Sequence, residues 1–285
     1  MRIAQQLTVQ TARPRERSGG HSGGPNMFSG LYASASSLFN GQKAVDVLAS
    51  NLANIQVPGY KEQRPVYRSF PDLMLRVAQA ADSNPKEIGK TGGGAFVQDI
   101  YTSFENGQLT HTGNRDDLAI SGNGFFQVLT ERGVRLTRNG SFERDPQGIL
   151  RNANEEPVLG KNGFIHIPEP VYTVKEDGQI CIIEQRGDVR EEVPIDQLDI
   201  VDVENKAHLR REGNSQFSLP EGISDTPVQA NGRVQQGYLE QANLTVVDAM
   251  IQMIDAFRSY EMSQRMLKAV DETLDKVVNE VAATA

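Results

Sequence analysis

One cysteine, Cys181, and no tryptophan occur in 285 residues. A lone thiol cannot build a disulfide framework within the chain, and a thiolate metal site needs more ligands than one. Cys181 lies in the apolar run from Ile180 to Ile183, where a buried strand position is expected. Histidine is scarce too: His21, His111, His166 and His208 show no paired metal-ligand spacing. Gly122-Asn-Gly124 has two glycines but lacks the third glycine and the Lys-Ser/Thr of a phosphate loop, so it reads as a turn leading into a strand. Asp116, Asp117, Asp145 and Asp177 sit in turn-like sequence, and nothing holds two of them at a set separation for acid–base work. No catalytic residue, no cofactor-binding residue and no metal ligand is therefore expected, and the chain reads as a non-enzyme without cofactors. Long apolar runs are also missing. None reaches the ~18 residues of a membrane span, and the N-terminus has no apolar core of a secretory signal. Neither membrane insertion nor a cleaved signal peptide is expected.

Positive charge is short as well. The net charge is −8, and Arg2, Arg13, Arg15 and Arg17 against Glu16 give residues 1–26 a charge of +3, which leaves −11 for the remainder. An acidic body lacks the basic face that phosphate backbones require, so no nucleic acid partner is expected.

What is present is order in the periodicity. Residues 1–26, rich in Arg, Gly, Ser and Pro, read as a disordered tail or a mis-assigned start ahead of Met27. From there Phe28, Leu31, Ala35, Leu38, Gln42, Val45, Ala49 and Leu52 alternate steps of three and four, a heptad stripe with one polar member. The pattern predicts an N-terminal helix within 27–60 that stops near Asn54, because Pro58-Gly59 cannot continue it. Residues 61–95, with an apolar stretch at Phe70–Val77, read as a linker with a short helix or an extended segment. Residues 96–235 read as β: short alternating runs at 124–130, 134–138, 180–184 and 198–203 lie between turn signals such as Arg132-Gly133, Asp145-Pro-Gln-Gly148 and Glu176-Asp-Gly178. Their spacing predicts a sandwich or irregular barrel. Within 236–285 the helical period returns. Val247, Met250, Ile254 and Phe257 form one stripe, and Leu267, Val270, Leu274, Val277 and Val281 another, with a phase slip near Tyr260–Gln264 that predicts a bend or a local overwinding of any supercoil. The fold class is thus α+β: long N- and C-terminal heptad helices that pair as a coiled coil, around a central all-β domain. Ala35, Ala49 and Gln42 make a weak seam, so the ends are expected to order by packing on other subunits.

The motifs carry a family resemblance. Gly30-Leu-Tyr32, Asn51-Leu-Ala-Asn54 and Pro58-Gly-Tyr-Lys61 resemble the N-terminal signature of flagellar rod and hook proteins. The run from Asp117 to Phe126, followed by Thr137-Arg-Asn-Gly-Ser-Phe142, is similar to proximal and distal rod proteins. Gln236-Gly-Tyr-Leu-Glu240, Asn243 and Arg258-Ser-Tyr-Glu261 resemble the C-terminal signature. Arg68-Ser-Phe-Pro71 and residues 201–214 look closest to Gram-positive hook–basal body paralogues. Val57 stands where the family has Thr or Ser, and Ala242 where it has Ser, so Asn243 or Thr245 is left to cap the last helix. The motif residues are Asn51, Leu52, Ala53, Asn54, Gly59, Tyr60, Gly237, Tyr238 and Asn243.

The resemblance implies a structural subunit of the basal body, exported through the flagellar export apparatus and stacked helically with copies of itself and other rod and hook proteins. Terminal helices would line a torque-transmitting tube, with the β domain outside. Phe28, Leu31, Ala35, Leu38, Val45, Ala49, Leu52, Val247, Met250, Ile254, Phe257, Leu267, Val270, Leu274 and Val277 are the expected assembly interface. The competing reading is a wall- or surface-binding module on a helical stalk.

Overall fold

The computed structural model describes residues 24–69, 94–186, 189–220 and 227–283. Most of the basic N-terminal stretch and the apolar stretch at 70–77 lie outside the described residues.

Two helices frame a strand-rich body. Helix α1 spans Gly24–Ala53, and helix α2 spans Val246–Ala283. At 1.5 Å per residue they are roughly 45 and 57 Å long. Helix α1 ends in a chain of turn hydrogen bonds, from Ile55 N to Leu52 O, Val57 N to Asn54 O and Tyr60 N to Val57 O. Pro58 has no N–H to extend the helix, and Gly59 adopts φ 68°. Thr245 caps the start of helix α2. Its hydroxyl accepts from Asp248 N at 3.2 Å and donates to the Asp248 carboxylate, which sits favourably in the first turn. The helices run antiparallel and touch: Ser37 Oγ meets Ser263 Oγ at 2.8 Å, and Gly41 packs on Tyr260.

The line of contact differs from the expected stripe. On α1 the buried residues are Ser34, Gly41, Ala44, Val47, Leu48 and Asn51, and all but Val47 lie one position away from a residue of the expected stripe. On α2 the buried and half-buried residues are Ala249, Met253, Ala256, Tyr260, Ser263, Leu267, Val270 and Leu274, an unbroken alternation of four and three. The phase slip at Tyr260–Gln264 does not interrupt the helix: α2 is continuous from Val246 to Ala283, and the two stripes lie on different faces of it. Small residues at Ser37, Gly41, Ala44, Ala256 and Ser263 let the backbones approach, whereas hydrophobicity alone points to their larger neighbours.

Part of the expected linker is a strand. Gln63–Ser69 pairs antiparallel with Ala95–Thr102, with a bulge between Val66 and Tyr67. Asn40 ties this ribbon to α1: its Nδ2 donates to Ala95 O at 2.5 Å, and its Oδ1 accepts from Val97 N at 2.9 Å.

The body centres on a six-stranded antiparallel sheet. Its spatial order is Arg210–Gly213, Gln216–Ser218, Gly133–Thr137, Phe125–Thr130, Ile200–Asp202 and Val228–Gln229. Adjacent side chains on a strand point to opposite faces, and Phe125 and Phe126 divide accordingly between two cores. Phe126 joins Leu118, Val128, Phe142, Leu150 and Ile180. Phe125 joins Leu136, Val203, Leu209 and Phe217, with Phe104 edge-on to it at 5.8 Å. A three-stranded sheet of Tyr172–Val174, Gln179–Arg186 and Val189–Gln197 contributes Tyr172, Val174, Ile180 and Ile182 to the first core. Cys181 is a buried free thiol within it. Finally, Leu118–Ser121 pairs with Arg233–Gln236, and Leu109–His111 with Tyr238–Glu240. The chain thus leaves the body beside the place where it came in, which sets α2 against α1.

Candidate functional site

Two features of the helix pair stand out: what holds it to the body, and what it leaves open. The junction is built from three stretches far apart in sequence. Lys61 follows α1, Arg138 ends a strand of the main sheet, and Glu240 ends the last strand before α2. Lys61 Nζ lies 2.8 Å from Glu240 Oε1, and Arg138 Nη1 lies 3.2 Å from Glu240 Oε2, with all three side chains at most 2 % exposed. Lys61 also donates to Glu105 O at 2.6 Å, and Gly107 N donates to Glu240 Oε1 at 2.8 Å. The Arg138 guanidinium reaches Ile120 O, Gly122 O and Asn106 Oδ1 and sits over the Phe125 ring at 5.4 Å. Its Nε is buried with no partner. Two cations thus share one carboxylate. Burial pushes both the Lys61 and the Arg138 values down, and the adjacent Glu240 carboxylate opposes this.

Asparagines complete the joint by standing in for backbone. Asn51 Nδ2 donates to Gln63 O at 2.8 Å, while its Oδ1 accepts from Gln63 N at 3.0 Å and Tyr60 OH at 2.9 Å. Asn243 accepts from Glu62 N at 2.7 Å and donates to Ser103 O at 2.9 Å. Asn243 is thereby engaged, and Thr245 takes the capping role. Tyr60 is fully buried under the Arg211 guanidinium, 4.3 Å from its ring centre. Gly59 N donates to Glu240 O at 2.7 Å. A Cβ at Gly59 would run into the Arg138–Asn139 backbone, and φ is positive there. Gly59→Ala is therefore expected to lose about 2–4 kcal/mol in urea unfolding, from overpacking together with backbone strain. A change under about 0.5 kcal/mol would contradict the close approach.

The motif residues Asn51, Gly59, Tyr60 and Asn243 thus converge on this joint. Asn54 closes on Ser50 O at 2.7 Å, Leu52 is half-buried and Ala53 exposed. Gly237 N donates to Asp117 O, and the Tyr238 ring packs edge-on to His111 at 4.9 Å, nearby on the closing strands. Lys61, Arg138 and Glu240 lie within the motifs Pro58-Gly-Tyr-Lys61, Thr137-Arg-Asn-Gly-Ser-Phe142 and Gln236-Gly-Tyr-Leu-Glu240, but the sequence alone gives no sign that the three charges meet.

The expected interface residues fall into three groups. Val247, Met250, Ile254 and Phe257 are exposed on α2, joined by Val246 and Ile251. Leu267, Val270 and Leu274 are half-buried along the line that faces α1, with Val277 exposed beyond them. Ala35, Leu38, Val45 and Leu52 are half-buried beside the α1 contact line, and Ala49 is exposed. The side chains of Phe28 and Leu31 lie outside the described residues. Sequence reasoning missed Tyr32 and Phe39, which stand 56 % and 70 % exposed on α1.

The body offers little for chemistry. An open cleft of about 480 Å³ lies among Thr130, Arg132, Arg135, Glu156, Glu212 and Gln216, where Arg135 pairs with Glu212 and Gln216 with Glu156. Among the described residues no cluster of His, Cys, Asp and Glu is arranged for a metal, and no helix is long and apolar enough to cross a membrane.

Comparison with known proteins gives three matches in chain order. Residues 31–61 match the family of flagella basal body rod proteins, residues 119–190 the flagellar hook protein FlgE/F/G D1 domain, and residues 235–280 the flagellar basal body rod FlgEFG protein C-terminal region. The chain is 27 % identical to the flagellar hook-basal body complex protein FlhO of Bacillus subtilis, over 90 % of this chain and 99 % of that protein. It is 28 % identical to the flagellar basal-body rod protein FlgG of the same organism, over 89 % and 99 %. It is 31 % identical to FlgG of Agrobacterium fabrum, over 81 % and 91 %. Two of the three matched segments contain the charged residues that close the junction, Lys61 and Glu240, and the third contains Arg138. The chain belongs to the family of flagellar basal-body rod and hook proteins, which are structural subunits and not enzymes.

Proposed function

We propose that this chain is a structural subunit of the flagellar axis. It leaves the cell through the flagellar export apparatus without signal cleavage, and it assembles helically with copies of itself and other rod and hook proteins. The α1–α2 pair forms the coiled-coil wall of the axial tube, the β-rich body lies outside, and the buried joint between them carries torque from one to the other. The single observation that supports this most is the two-sided character of α2. One face packs on α1, while Val247, Met250, Ile251, Ile254 and Phe257 present a second apolar face to solvent. A contiguous exposed apolar stripe on a long helix marks a surface that another protein covers. The experiment is deletion of the coding sequence in the native host, followed by electron microscopy of isolated hook–basal bodies. Rods that stop short, or hooks and filaments that are missing, are the expected result, and the stopping point gives the position along the axis. Complete, motile flagella would contradict the axial role and favour the wall-binding reading.

A further inference from the structure

The junction is one carboxylate short. Lys61 and Arg138 share Glu240, and Arg138 Nε finds no partner. A neutral side chain fills part of the gap: Asn106 Oδ1 accepts from Arg138 Nη2 at 3.4 Å. The residue after Asn106 is Gly107, whose N–H donates to Glu240 Oε1 at 2.8 Å. In an Asn-Gly pair the backbone nitrogen has free access to the side-chain amide carbon, because glycine carries no Cβ to block the approach. The N–H bond lies in the peptide plane and attack comes from above that plane, so the hydrogen bond to Glu240 leaves the attacking face open. Both ends of a ring closure are therefore attended. A carboxylate holds the proton that the nucleophile must lose, and a guanidinium holds the oxygen that gathers negative charge.

The geometry points to Asn106-Gly107 as a self-modifying deamidation site, with Glu240 as general base and Arg138 as donor to the oxyanion. Gly107 N attacks Asn106 Cγ and a C–N bond forms, while Glu240 takes the Gly107 proton and charge gathers on Oδ1 beside Arg138. The intermediate then collapses and the Cγ–Nδ2 bond breaks. Glu240 returns the proton to the leaving nitrogen, which departs as ammonia and leaves a succinimide. Asn106 is exposed, so water reaches the ring and opens it. Opening at Cγ gives aspartate, and opening at the backbone carbonyl gives isoaspartate with one more carbon in the backbone. Gly107 packs so closely on Gln241 O that even a Cβ would run into it, so the longer backbone has no room. Aspartate is the product that the fold accepts, and it sets the missing carboxylate against Arg138. The site needs no neighbouring subunit.

The chain carries its own controls. The same dipeptide occurs at Asn40, Asn123, Asn139, Asn162 and Asn231. Asn40 is held within α1 by its two bonds to the ribbon, and Asn139 Oδ1 accepts from Ser141 N at 3.0 Å. Asn162 is the exposed comparison: Gly163 beside it meets nothing, and its Nδ2 donates to Asp196 Oδ1 at 2.9 Å. Exposure alone favours Asn162, whereas an attended nucleophile and oxyanion favour Asn106.

The test follows the purified full-length chain at neutral pH, once folded and once in guanidinium chloride. Peptide mass spectrometry reads the loss of ammonia and the gain of aspartate at each Asn-Gly pair. In denaturant the pairs are expected to react at similar rates. In the fold Asn106 is expected to exceed its own unfolded rate, by about tenfold or more, and to overtake Asn162. A folded rate at Asn106 no higher than its unfolded rate would overturn the proposal, because the two hydrogen bonds would then be protecting the pair. Glu240→Gln keeps an oxygen for Gly107 N and cannot take its proton, so it is expected to abolish the acceleration. Unchanged acceleration in that variant, with circular dichroism matching the parent, would overturn Glu240 as the base. If Glu240→Gln fails to fold, the comparison of folded and unfolded parent chain decides alone. Asn106→Asp, which is the product itself, is expected to raise the urea midpoint, and a lower midpoint would overturn the completion of the charge balance.

Discussion

Glu240→Ala is expected to remove about 3–5 kcal/mol of folding stability, because it strips the shared counter-charge from two buried cations. The loss is larger than for an ordinary surface ion pair, which contributes about 0–1 kcal/mol, since neither Lys61 nor Arg138 can turn to water without opening the junction. Gly107 N also loses its acceptor. The three-residue arrangement makes a sharper statement about order. Lys61→Met leaves Arg138 and Glu240 as a neutral pair, whereas Glu240→Ala leaves two like charges facing each other. Lys61→Met is therefore expected to cost clearly less than Glu240→Ala. Urea unfolding followed by far-ultraviolet circular dichroism measures both, with tyrosine emission as the second probe in a chain that has no tryptophan. Equal losses, or losses under about 1 kcal/mol for Glu240→Ala, would contradict the buried, shared carboxylate.

The second large effect has the opposite profile. Ile254→Asp is expected to leave the isolated chain within about 0.5 kcal/mol of the parent, because Ile254 is half exposed on the outer face of α2. In the assembled axis the same change buries an unpaired carboxylate in an apolar contact, at a cost of several kcal/mol per subunit. Motility and the yield of hook–basal bodies should collapse while the melting curve of the purified protein barely moves. Leu52→Asp separates the two properties less cleanly. Leu52 is half-buried beside the junction, so it is expected to weaken both the monomer and the assembly. Normal motility with Ile254→Asp would remove the outer face of α2 from the interface.

These two effects rest on features with different legibility in the sequence. The terminal helices were readable, because heptad spacing persists for many turns and Pro58-Gly59 stops the first one where it ends. The strands were readable locally, since Arg132-Gly133, Asp145-Pro-Gln-Gly148 and Glu176-Asp-Gly178 mark turns that the structure makes. The order of the main sheet was not readable. Its neighbours Gly133–Thr137 and Gln216–Ser218 are joined by no local signal and pair only through the shared core. The helix contact line was displaced by one residue for a physical reason. Ser37, Gly41, Ala44, Ala256 and Ser263 contribute closeness in place of apolar area, and a count of large side chains passes over them. On α2 the two stripes visible in the sequence lie on different faces of one continuous helix. The charge cluster was hidden by distance: Lys61 and Glu240 are 179 positions apart, and nothing short of the fold brings them within 2.8 Å.

The central claim is that the outer face of α2 is open in the free chain and covered in the axis. Thiol labelling of Ile254→Cys tests it directly, with Gln147→Cys at an exposed turn of the body as reference. The rate of maleimide reaction is measured in dilute purified protein and again in isolated hook–basal bodies. Fast labelling at position 254 in the free protein, and loss of most of that rate in the basal body relative to position 147, is the predicted result. Equal labelling of position 254 in both states would contradict the account.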